Sequence, residues 1–245
     1  FSILFDTPKV KALALSQGYP LALGGWGDQQ DSQAYQTPVK RFDLGKVHFE
    51  NIDMAYIPIA TSQYFLRPDE ALYDGVIGHD ILHHFSWTFD KTQQLISLSK
   101  QALKSTKATQ SFELKTSFSK ISIKGKVDFG HDHQVTRDLV VDTGSRHYLK
   151  LSAAYPANKK LILPTSITAA DFGLSGRTIH QRIAMPELTL GSIVLNDVKT
   201  NLIPSDDEDD WWVIGNALLN QFILTIDYPG NTLYLTPVQP FKSRF

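Results

Sequence analysis

Short blocks of this sequence recur in the same order roughly 140 residues apart, and a chain that carries one unit twice is confined to folds that two copies of it can build. Val76-Ile77-Gly78, followed by Ile81, Leu82, Phe85, Thr88 and Asp90, is answered by Val213-Ile214-Gly215, followed by Leu218, Leu219, Phe222, Thr225 and Asp227, at an offset of 137. Phe42-Asp43-Leu44-Gly45, running through Ile52 and Pro58, is answered by Leu188-Thr189-Leu190-Gly191 through Val198 and Pro204, at an offset of 146. A third pair sets Ile3-Leu4-Phe5-Asp6-Thr7-Pro8, on to Leu13, Leu15 and Ser16, against Leu139-Val140-Val141-Asp142-Thr143-Gly144, on to Leu149, Leu151 and Ser152, at an offset of 136. Changes of offset between blocks are what loops of different length on two copies of one scaffold produce.

Each half reads as mostly β. Runs such as Lys120-Ile121-Ser122-Ile123-Lys124 and Thr232-Leu233-Tyr234-Leu235-Thr236 alternate in polarity and are separated by Gly, Asn and Asp turns. After each Ile-Gly the apolar spacing changes to i, i+1, i+4 (Ile81, Leu82, Phe85; Leu218, Leu219, Phe222), which predicts a short helix. The Lys-, Ser-, Thr- and Gln-rich stretch over residues 100–111 reads as a linker, so the lobe boundary is expected near residue 105, giving lobes 1–104 and 105–245. In the second half about thirty residues of strand and turn, Phe112 to Asp138, lead into Asp142, whereas five residues precede Asp6. A hairpin partner for the first strand is therefore expected ahead of Phe1.

Composition narrows the function. With 24 Lys and Arg against 25 Asp and Glu the chain lacks the basic footprint of a nucleic-acid binder. No apolar run approaches the ~20 residues of a transmembrane helix. The absence of cysteine excludes disulfides, thiol catalysis and thiolate metal sites. What remains chemically distinctive is a pair of aspartates, Asp6 and Asp142, each ending an apolar strand and followed by Thr. If two copies pack about a pseudo-twofold axis, the two carboxylates meet. Like charges at about 3 Å share one proton, so one serves as general base and the other as general acid. A water held between them attacks a carbonyl with no covalent intermediate, no metal and no organic cofactor.

Val140-Val141-Asp142-Thr143-Gly144-Ser145, Val76-Ile77-Gly78 with Asp80-Ile81-Leu82, and Val213-Ile214-Gly215-Asn216-Ala217-Leu218-Leu219 together give the chain a family likeness. It resembles the pepsin-like and retropepsin-like aspartic proteases, most closely the bacterial single-chain type with two lobes. The resemblance implies an all-β, two-lobed acid-protease fold: two β-barrel lobes related by a pseudo-twofold axis, with short helices. It implies an endopeptidase acting as a monomer on peptide or protein substrates, exported to the periplasm or beyond. Asp6 and Asp142 would form the catalytic dyad, and Thr7 and Thr143 would interlock the two active loops beneath it. Gly144 would offer its N–H to the Asp142 carboxylate, with Ser145 in reach of the outer oxygen. A β-hairpin flap would cover the cleft from the regions containing Trp26, Gly27 and Tyr35 in one half and Gly173 and Gly176 in the other.

One position departs from the pattern. Pro8 stands where the first Asp-Thr-Gly needs its glycine, which removes a backbone donor to Asp6 and pushes Thr7 toward extended geometry. Lys9 occupies the place of Ser145, where a cation would favour ionised Asp6. The alternative is therefore a peptide-binding pseudoprotease that keeps the cleft and has lost turnover. His79 and His83, four apart, and His84 read as solvent-facing polar positions rather than metal ligands. The acidic run Asp206-Asp207-Glu208-Asp209-Asp210 lacks the turning Gly and spaced ligands of a calcium loop.

Overall fold

A computed structural model of the chain describes residues 1–23, 32–58, 73–103, 110–173, 176–210 and 212–238. It is all-β, with short helices. By contacts the chain falls into two units, residues 1–82 with 171–178, and residues 83–170 with 179–245. No described helix is long and apolar enough to cross a membrane.

The first unit holds β1 (Ile3–Phe5), α1 (Pro8–Ala12), β2 (Pro20–Leu23), β3 (Ser32–Leu44), β4 (Val47–Ile57), β5 (Gly75–Val76) and α2 (His79–Leu82). Its sheet runs β2-β3-β4-β1-β5. β1 lies parallel to β4, with Ile3 opposite Ala55, and antiparallel to β5, with Ile3 opposite Val76. Among its described residues Phe5, Ala34 and Ile57 form one buried cluster, with Ile3 and Leu21 against them, and Val10, Met54, Ala55 and Ile81 are buried too.

The second unit begins with β6 (Ser86–Asp90), β7 (Leu95–Ser99), β8 (Gln110–Glu113), β9 (Lys115–Ser117), β10 (Lys120–Asp128), β11 (Gln134–Asp142), β12 (Leu149–Ser152) and α3 (Ala154–Asn158). It continues with β13 (Ile167–Gly173) and β14 (Gly176–Leu190), whose residues 171–178 count with the first unit, then β15 (Ile193–Ile203), β16 (Val213–Gly215), α4 (Asn216–Leu219), β17 (Phe222–Asp227) and β18 (Thr232–Pro237). One sheet runs β13-β14-β15-β12-β16-β11-β10-β9 and the other β7-β6-β17-β18-β8. β6 and β7, ahead of residue 105, join the second unit because β6 hydrogen-bonds along its length to β17. Leu149, Leu151, Ile183, Leu188 and Leu190 share one continuous core with Ile214, Leu218, Leu233 and Leu235.

Pairing fixes how the halves correspond. β12 lies parallel to β15, with Leu149 opposite Thr200, and antiparallel to β16, with Leu149 opposite Ile214. That is the pattern of β1 between β4 and β5. α1 and α3 each follow at once, the β3–β4 and β14–β15 hairpins turn on left-handed Gly45 and Gly191, and Asn51 and Asp197 share a φ of 52°. α1 and α3, Gly45 and Gly191, and Asn51 and Asp197 are each 146 residues apart. At an offset of 146 Ile3–Pro8 falls on β12 and α3 and Asp6 on Ala153, whereas the offset of 136 read from the sequence sets Asp6 against Asp142.

Candidate functional site

β11 carries Asp142 at its end. The strand is parallel to β16, which brings Asp142 opposite Gly215. The chain then turns sharply, and the N–H groups of Gly144 and Ser145 both donate to Asp142 Oδ1, at 2.9 and 3.1 Å. A Cβ on residue 144 would stand 3.2 Å from that same oxygen, so glycine is what lets the amide come so near. The turn is tied down from below: Asn216 N–H donates to the Ser145 carbonyl at 2.6 Å, Gly215 N–H to that of Tyr148 at 3.0 Å, and Ala217 N–H to that of His147 at 3.1 Å. Asp142 itself is exposed, and among the described residues it has no ion-pair partner. The Ser145 hydroxyl does not reach the carboxylate as expected. It is buried and finds no hydrogen-bond partner among the described residues, because the N–H of the residue takes that role. Thr143 is half-buried and lines a cavity beside Phe89, Leu219 and Phe222.

Just past this turn, His147 Nδ1 lies 2.9 Å from Asn201 Nδ2, while Arg182 Nε donates to Asn201 Oδ1 at 2.8 Å. Burial, then Lys150, His180, Arg182 and Arg146, push the His147 pKa down to about 3.

In the first unit Asp6 stands between β1 and α1 in a different setting. Its Oδ1 accepts a short hydrogen bond from the Tyr56 hydroxyl, and its Oδ2 meets Lys11 Nζ at 2.9 Å. Tyr56 first, then Lys11, hold its carboxyl below the usual carboxylate range. Burial, then Asp6, raises the Tyr56 phenol to about 12. Lys9, the cation expected beside Asp6, reaches Asp74 Oδ2 instead, at 3.3 Å. Thr7 caps α1: its Oγ1 accepts from Val10 N–H at 3.4 Å and donates to Asp74 Oδ1 at 2.6 Å, and Pro8 opens the helix. Tyr35 is paired with Tyr56 across β3 and β4. Lys11, Tyr56 and Asp74 were not singled out in the sequence. The Thr-Pro dipeptide after Asp6, a helix cap followed by a first-turn proline, is the signal that identifies their setting.

Of the flap candidates, Trp26 and Gly27 lie outside the described residues. Gly173 closes β13 and Gly176 opens β14. Among the described residues no group of three or more His, Cys, Asp or Glu is placed to hold a metal ion. The acidic run is engaged within the protein: Asp209 and Glu208 pair with Arg137, and Glu208 also lies 3.6 Å from Lys159.

Among solved structures the chain is similar to a retropepsin-like aspartic protease from Rickettsia conorii, at 18% identity over 52% of this chain and 89% of that one, with a TM-score of 0.35. No protein-family model matches the chain, and no curated protein matches it.

Proposed function

We propose that this chain is an aspartic-type endopeptidase in which Asp142 is one of two carboxylates activating a water against a peptide bond. The observation that carries the reading is the Asp142 turn: a solvent-exposed carboxylate with one oxygen held by two backbone N–H groups. Two fixed donors keep the carboxylate in one orientation, which general base catalysis on a bound water requires. A second carboxylate must share the proton. Asp6 was the candidate in the sequence, but its two oxygens are taken by Tyr56 and Lys11 and its register is that of Ala153. In that register Phe1 answers to His147: an added Cβ on Gly78 would strike the Phe1 carbonyl oxygen, and one on Gly215 that of His147. The engagement of Asp6 also favours a second reading for residues 1–245 alone, peptide binding without turnover.

The test is cleavage of a mixed peptide library between pH 3 and 8. Asp142→Asn is expected to abolish cleavage with the fold intact, and Asp6→Asn to leave kcat within about twofold. Loss of activity in Asp6→Asn at unchanged stability would make Asp6 the second carboxylate. Full activity in Asp142→Asn would remove the protease reading, and peptides retained but never cut would select the binding reading.

A further inference from the structure

Register sets a row of residues on the face of the eight-stranded sheet that carries Asp142. Side chains directly opposite across a ladder share a face. The pairings Val140 with Val213, Val213 with Lys150, Lys150 with Asn201 and Asn201 with Arg182 therefore carry one face across β11, β16, β12, β15 and β14. Asp142, two residues on from Val140, belongs to that face, and so does His180, two before Arg182. Leu149 and Leu151, on the other face, lie in the core. Asp138, the acid that β11 sets on the same face, is paired with Lys115 and Lys124.

Beside Asp142 this face is cationic. Lys150 is 6% and His180 3% exposed, whereas Arg182 and His147 are half-buried and Arg146 is exposed. Asn201 ties two members together, accepting from Arg182 Nε on its Oδ1 at 2.8 Å and meeting His147 Nδ1 with its Nδ2 at 2.9 Å. After burial, the charges that depress the His147 pKa are those of Lys150, His180, Arg182 and Arg146, so the field at the imidazole is positive. Like charges in one patch raise one another's energy, and an anion set among them relieves that cost.

We propose that this patch takes the side-chain carboxylate of an Asp or Glu in the bound peptide, which makes acidic peptides the substrates of the site. The inference rests on the protease reading, which lays the peptide at Asp142. Lys150 stands two strands from the strand of Asp142, roughly 10 Å and about three residues of extended peptide, so the acidic residue falls close to the bond to be cut. The ligand meets Arg146, Arg182 and His147, with Lys150 and His180 adding their field from beneath. Because Asn201 holds Arg182 and His147 at once, the patch is ordered before a ligand arrives. An uncharged residue there takes water from these charges and returns no charge of its own, which is the source of discrimination.

Peptide pairs that differ only in Glu against Gln, scanned over about three positions on either side of the cut, test the proposal. At one or more positions kcat/KM is expected to be about tenfold higher for Glu, with the ratio falling as ionic strength rises. Arg182→Gln should bring the ratio below about threefold, and Arg146→Gln, at an exposed position, should lower it with Tm unchanged, whereas Lys120→Gln removes the same charge outside the patch and should leave the ratio as it was. The same pairs are bound to Asp142→Asn, so that failure of the patch and failure of the protease reading separate. Equal cleavage, or in the absence of cleavage equal binding, of Glu and Gln peptides would overturn the patch. Cleavage lost altogether while Glu peptides are held about tenfold more tightly would keep the patch and remove the protease. A preference that disappears when the peptide C-terminus is amidated would overturn the assignment to a side chain.

Discussion

Nδ2 of Asn201 can only donate, and Arg182 on Oδ1 fixes which end of the amide faces His147, so His147 accepts at Nδ1 and carries its proton on Nε2. A neutral imidazole beside Lys150, His180, Arg182 and Arg146 resists a further charge. Its folded pKa is depressed, so its contribution to stability is whole above the unfolded value of about 6.5 and is lost progressively as pH falls toward 3. Stability is expected to fall by about 1.4 kcal/mol per pH unit across that window from this group alone, and His147→Gln should flatten the slope in urea titrations. Asp6 behaves alike lower down: Tyr56 and Lys11 add stability that is present above the ordinary carboxylate pKa and lost as pH falls through the depressed one. At this scale the sequence was half legible. Asp142-Thr143-Gly144-Ser145 could be read because its donors are its own neighbours. Asp6 could not, because two shared letters say nothing of which strands flank it, and its partners Tyr56 and Lys11 become neighbours only through β4 and α1.

Strands and their crossings explain the glycines of the two Ile-Gly blocks. β16 passes so near the turn after Asp142 that a Cβ on Gly215 would stand 2.2 Å from the His147 carbonyl oxygen and 2.9 Å from that of Ser145. Gly215→Ala is therefore expected to cost about 3 kcal/mol in chemical denaturation, and to lower activity beyond what lost stability explains. The β6–β17 crossing allows a second measurement. Thr88→Val or Thr225→Val strands one hydroxyl opposite a methyl and should cost about 1 kcal/mol each, while the double substitution removes both hydroxyls and should cost less than the sum. The alternating strands and the short helices after Ile-Gly were readable from period alone. Their register was not, since it depends on hydrogen bonds across long separations. Yet the offset of 146, visible in the Leu-Gly blocks, also carries α1 onto α3, and extending it to the chain's first residues finds the observed alignment.

Among the described residues the two units differ in the apolar clusters they bury. The second joins β10, β11, β12, β14 and β15 to β17 and β18 through one extended core, whereas Phe5, Ala34 and Ile57 anchor the first. Native-state hydrogen exchange is expected to show β1, β3 and β4 opening at lower free energy than β11, β14 and β15; a single opening energy for all would show that they unfold together. An all-β chain could be read from its alternating strands, but not the grouping of β6 and β7 with residues beyond 105, because a linker in composition says nothing about which strands cross it. That crossing also limits what the sequence can place at its centre. Where a strand lies against its own likeness, each residue on the axis meets another in the same surroundings. A carboxylate or an ammonium there would face its own charge, and a carbonyl or a bare donor would find no complement. A hydroxyl both gives and accepts, and is the small polar group that can be its own partner, as Thr88 and Thr225 are.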